Sequence, residues 1–138
     1  MRRALALLLL LAAGVAQAGS LGDPDQVDGL ELEPKTGRLR LLVILGEDRV
    51  NTRPAVKALY RKFNRYQDFI ESGQALRAAP NANPALRPVV VLVGPQGAST
   101  GEMQNLAGLQ LAASKAGAAV EVLPHQPGLA LKPLRNLR

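Results

Sequence analysis

Beyond an apolar start, the chain alternates between apolar runs and polar, turn-forming stretches. Val27 to Leu32 and Arg38 to Leu45 read as two strands joined by Pro34-Lys35-Thr36-Gly37, where proline presets a turn dihedral and glycine tolerates positive φ. This predicts a β-hairpin. Leu41 to Leu45 is apolar on both faces, which places the second strand centrally in a sheet. Thr52 and Pro54 then mark a helix start. Val56, Leu59, Phe63, Tyr66 and Ile70 recur at helical spacing until Ser72-Gly73 offers a stop. Ala79 to Pro84 is a loop by composition, and Val89 to Val93 is a second buried strand. A helix from Thr100 to Ala116, with Gly117 as its cap, and a last strand from Ala119 to Leu123 complete the pattern.

The expected fold is therefore α/β in the order ββαβαβ: a four-stranded mixed sheet with an N-terminal hairpin and two helices as right-handed crossovers. Two strand orders fit. Order 1-2-3-4 puts both helices on one face and leaves an apolar face over, whereas 4-1-2-3 covers both faces. The first is preferred, because Leu129, Leu131, Leu134 and Leu137 of the tail are spaced to lie over a bare face.

The two ends change the picture of where the chain works. Met1-Arg2-Arg3, 13 apolar residues from Ala4 to Ala16 and the small-x-small run Ala16-Gln17-Ala18 read as a signal peptide spanning 1–18. The apolar run is short of the roughly 20 residues needed to cross a bilayer. The expected mature protein is periplasmic or secreted, with no stable membrane anchor, a single α/β domain over 19–124 and a basic, proline-containing tail over 125–138. It contains no cysteine, so disulfides, thiolate metal sites and a thiol nucleophile are excluded.

The net charge of +6 includes Arg2 and Arg3, and removing them leaves 15 bases against 11 acids, a surplus of four. That surplus is small for a nucleic-acid binder, and an exported chain meets little nucleic acid. The charge is also segregated: Asp23, Asp25, Asp28, Glu31 and Glu33 precede a base-rich stretch from Lys35 to Arg65.

Some of these residues resemble a known family of small bacterial domains of unknown function. The family opens with Asp-Pro-Asp-x-Val-Asp, here Asp23 to Asp28. Its central helix carries Lys-x-Asn-x-Tyr followed by Phe-Ile-x-Ser-Gly, here Lys62, Asn64, Tyr66 and then Phe69, Ile70, Ser72 and Gly73. The resemblance runs from about Asp23 to Val93. It implies a hairpin, a helix and a strand in this order, and brings no activity or catalytic residue with it.

Three places carry candidate function. Lys57, Arg61, Lys62 and Arg65 make a basic strip along the first helix, where stacked like charges cost roughly 0.2 to 0.5 kcal/mol per pair. The strip reads as a solvated face, a docking surface for an acidic protein partner in the cell envelope, or a seat for the chain's own acidic segment. Between a strand and a helix, Gly94-Pro95-Gln96-Gly97-Ala98-Ser99-Thr100-Gly101 could cradle a phosphate or carboxylate with Gly94, Gly97, Ser99, Thr100 and Gly101. It lacks the lysine of a phosphate-binding P-loop, and Ser99 with Glu102 reads equally as a capping box. Tyr60, Phe63, Tyr66 and Phe69, all four aromatics of the chain, share the first helix and read as core and its rim.

Catalysis and metal binding find little. His125 is the one imidazole, and Asp23, Asp25 and Asp28 lack the spacing of a calcium loop, reading better as a turn. The expected protein is a noncatalytic binding or interaction module without catalytic residues, metal or cofactor. A small-ligand protein or enzyme working at Gly94 to Gly101 is the alternative, and a homodimer through the sheet face a further possibility.

Overall fold

The computed structural model describes residues 21–127. The expected signal peptide, 1–18, and most of the expected basic tail, 125–138, therefore lie outside the described residues. Strand β1 (Gly29–Leu32) and strand β2 (Leu39–Ile44) form the antiparallel hairpin. Its turn is closed by the Gly37 N–H donating to Glu33 O at 2.8 Å, with Gly37 at φ 74°. Helix α1 (Arg53–Glu71) starts where Thr52 accepts from the Ala55 N–H and a proline occupies the first turn. Strand β3 (Val89–Val93), helix α3 (Thr100–Lys115) and strand β4 (Val120–Leu123) follow, with a short helix α2 (Gln74–Ala78) between α1 and β3.

The sheet runs β1-β2-β3-β4, with β2, β3 and β4 parallel. This is the preferred of the two expected orders, and the α/β class with its N-terminal hairpin is as read from sequence. Both long helices pack on one face: Leu59, Phe63, Tyr66 and Ile70 of α1 share a single cluster with Leu106, Leu109 and Ala113 of α3 and with Leu39, Leu41, Val43, Val90 and Leu92 of the sheet. Side chains alternate along a strand, so Leu42, Ile44, Val89, Val91 and Val93 form a separate cluster on the other face.

The expectation of two helices needs a correction, since the described residues form three. At Gly73 the chain enters the left-handed region, φ 83°, and after it Gln74–Ala78 makes one further turn that buries Ala75. Five residues are too few to produce a readable periodicity, so α2 is set by packing rather than by pattern. The glycine at the junction is needed for its dihedral, because a side chain there pays the left-handed penalty and would meet the Arg77 guanidinium at 3.1 Å. Gly73→Ala should lower stability by about 1 to 2 kcal/mol, read as a lower denaturant midpoint at unchanged slope.

Candidate functional site

The basic strip is divided by the turn of α1. Lys62 is fully buried and is not on a docking surface. Its Nζ donates to Asp28 Oδ1 at 3.1 Å and to the Asp23 carbonyl at 3.0 Å, and both side chains of the pair have no solvent exposure. The second carboxylate oxygen of Asp28 accepts the Ile44 N–H at 2.8 Å. Tyr66, one turn beyond Lys62, accepts the Asp28 N–H at 2.9 Å and donates to Leu42 O at 2.8 Å. The side chains of Asp28, Lys62 and Tyr66 thus join the entry segment, β2 and α1 in one buried polar network. Desolvation, reinforced by the neighbouring Asp28 charge, holds the Tyr66 phenol well above its ordinary value, so it stays neutral and able to donate.

Arg65 leaves the strip in another way. Its Nε lies 2.7 Å from Asp25 Oδ1, and Nη1 lies 3.6 Å from Asp68 across one turn. The acidic entry segment therefore folds onto α1, as one of the three sequence readings held, and takes Lys62 and Arg65 out of the strip. Lys57 and Arg61 stay exposed, and Arg53 continues their row toward the helix start at the same spacing of four. Among the described residues, no carboxylate pairs with Arg53, Lys57 or Arg61. Arg53 also sits in the first turn of the helix, where the dipole disfavours a cation.

At the other end of the sheet, the candidate anion loop is occupied by the protein itself. Ser99 caps α3 by accepting the Glu102 N–H at 3.1 Å, and Glu102 Oε1 accepts the Ser99 N–H at 3.0 Å. Glu102 is buried, and its Oε2 also accepts the Val50 N–H at 3.0 Å, with Arg49 Nη1 3.6 Å from Oε1. Desolvation raises this carboxyl, but the hydrogen bonds from Ser99 and Val50 and the Arg49 charge outweigh it and hold it below the usual range. A carboxylate thus already sits where an anion would bind.

The glycines of this loop serve other ends. A Cβ on Gly94 would meet Leu123 O at 3.3 Å and Met103 Sδ at 3.4 Å, so Gly94 lets the strand end approach its neighbours, while Gly97 takes a left-handed turn at φ 62°. Thr100 and Gly101 are exposed in the first turn of α3.

Elsewhere the surface offers little convergent chemistry. A groove of about 630 Å³ runs between α3 and the β4 edge, lined by Arg38, Gln110, Leu111 and Glu121 among others. Two of its polar groups are engaged: Arg38 Nε donates to Arg87 O at 2.7 Å and Gln110 Nε2 to Val120 O at 3.0 Å. Among the described residues, no group of three or more His, Cys, Asp and Glu side chains could hold a metal ion. The aromatics of α1 form no platform, since Phe63, Tyr66 and Phe69 are buried and Tyr60 packs against the same core. No described helix is long and apolar enough to cross a membrane.

Sequence reasoning saw the capping box but missed the roles of Asp28 and Tyr66. The available signal was the pair of motifs Asp23 to Asp28 and Lys62-x-Asn64-x-Tyr66, whose acids and base come together in space. No family model matches the chain, and neither does any curated protein or solved structure.

Two predictions follow the buried groups. Lys62→Met strips the ammonium from a buried carboxylate and should cost about 3 to 5 kcal/mol, whereas Lys62→Met with Asp28→Asn, which keeps an acceptor for Ile44, should cost less than the single change. Titration gives the second. Glu102 has its folded value below its unfolded one, so its contribution is present above about pH 4.3 and is lost as pH falls through the folded value. Tyr66 has the opposite sign, and its contribution falls away as pH rises above about 10. Denaturant melts across pH should show both limbs, with Glu102→Gln flattening the acid one and Tyr66→Phe the alkaline one.

Proposed function

We propose that the chain is an exported, noncatalytic interaction module of the bacterial cell envelope that meets an acidic protein partner through the N-terminal half of α1. Export is supported by the basic, apolar, small-x-small start of the sequence. The observation that carries the docking reading is the exposed row Arg53, Lys57 and Arg61. Its members repel one another at spacing of four and Arg53 opposes the helix dipole, while Lys62 and Arg65 beside them are matched with acids of the same chain.

A helix that neutralises two of its cations and leaves three in a line bears a cost to folding that an acidic partner would offset. A charge-steered surface of this kind raises association rate and specificity, and its binding weakens with salt. Lys57→Glu separates the effects, because it inserts an acid between Arg53 and Arg61 at favourable spacing. Crosslinking of the tagged chain in its native envelope should capture one stoichiometric partner, and Lys57→Glu should reduce that capture at least tenfold while leaving the melting temperature equal or higher. Retention of the partner by the variant would remove the row from the interface.

A further inference from the structure

The sheet face opposite the helices is apolar and buried, yet no described helix packs on it. Leu42, Ile44, Val89, Val91 and Val93 are each at most 6% exposed, and their cluster includes strand residues, with Ala119 and Leu123 at its margin. One end of this face is polar. Arg40 on β2 lies 2.9 Å from Glu31 on β1 and 3.3 Å from Glu121 on β4, and the two glutamates, 48% and 43% exposed, leave a net negative charge there.

We propose that residues 128–138 form a strap across this face, with Leu131, Leu134 and Leu137 on the apolar cluster and Lys132, Arg135 and Arg138 directed to the rim and its glutamates. The segment repeats a leucine followed by a cation every third residue: Leu131-Lys132, Leu134-Arg135, Leu137-Arg138. A polyproline II helix has three residues per turn, so this spacing aligns the leucines on one edge and the cations on the next, and Pro133 favours that backbone. The reach also fits. From Leu131 to Leu137 such a segment spans about 19 Å, and four strands at about 4.8 Å spacing are about 14 Å across.

Four residues, Pro124 to Pro127, link the segment to the end of β4, at the sheet edge it has to cross. It carries three bases and no acid, which complements the glutamate surplus around Arg40. The apolar segment Ala4 to Ala16 has no cation spaced along it, its bases being Arg2 and Arg3 at one end. A second copy of the chain would meet the face with the same negative rim.

The test exploits the absence of cysteine. A nitroxide attached through Asn136→Cys in the full chain, with methyl groups isotopically labelled, is diluted into a tenfold excess of unlabelled, untagged protein so that only effects within one molecule remain. Leu42, Ile44 and Val91 methyl signals should broaden several-fold more than those of Leu59 and Leu106 on the helix face. Equal broadening of the two sets, none at all, or broadening that disappears on dilution and so reports a second copy would each overturn the strap. With Leu131→Lys and Leu134→Lys added, the selective broadening should be lost. Its persistence would overturn the assignment of the leucines as the contact.

Discussion

A lysine and an aspartate with no solvent exposure are tolerable only because each is held by hydrogen bonds as well as by the other's charge. Around the Asp28–Lys62 pair the rest of the structure is arranged. The carboxylate divides its oxygens between the ammonium and the Ile44 N–H, so it both neutralises the helix lysine and extends the hydrogen bonding of β2 beyond the end of the hairpin ladder, which stops at Gly29 opposite Leu42. Tyr66 uses the same segment from the other side, through the Asp28 N–H and Leu42 O. Breaking any one of these leaves a buried polar group short of a partner, so the network is satisfied as a unit. It fixes how far the entry segment travels over α1 and, with the apolar stripe, how α1 is rotated on the sheet. That rotation is what brings Arg53, Lys57 and Arg61 to the outside.

The strand order has a consequence for chemistry. Open α/β sheets bind ligands at the carboxyl ends of their strands where the order reverses and adjacent crossovers diverge to opposite faces. Here β2, β3 and β4 follow one another and both long helices pack on the same face, so no such crevice opens. The loops at that end are instead tied together: Gln96 N–H donates to Gly46 O at 2.8 Å, Asn105 Nδ2 to Val50 O at 2.7 Å, and Glu102 spans Ser99 and Val50. The strand–loop–helix unit that resembles a phosphate cradle in sequence is, in three dimensions, a closed clasp built on its own carboxylate.

Most of the fold was legible because its signals are local and long: the two apolar strands, the nineteen-residue amphipathic helix and the capping box each declare themselves within one window of sequence. What was illegible depends on distance. Lys62 and Arg65 look like members of a solvated face because periodicity places a side chain on a helix but says nothing about a segment that arrives from about forty positions away to cover it. Segregation of acids before bases hinted at that arrival, and the motifs around Asp28 and Lys62 hinted at where, but only the folded register shows that Asp28 reaches Lys62 and Asp25 reaches Arg65. Glycines misled in the same manner. Gly94 and Gly97 suggest backbone laid open to a phosphate, whereas one gives room for the Leu123 carbonyl and the other turns the chain.

The division of the strip bears on how function can be located in a protein whose chemistry is so sparse. Side chains that stabilise a fold find partners within it, as Lys62, Arg65 and Glu102 do here. Arg87, likewise, reaches Glu71, and Arg40 sits between two glutamates. Against that background of matched charges, Arg53, Lys57 and Arg61 stand out as a row that no carboxylate among the described residues pairs with. Alignment at one spacing on one exposed helix face adds a like-charge cost at each step of four, with Arg53 also set against the dipole in the first turn, and an acidic surface laid along the row would offset that cost.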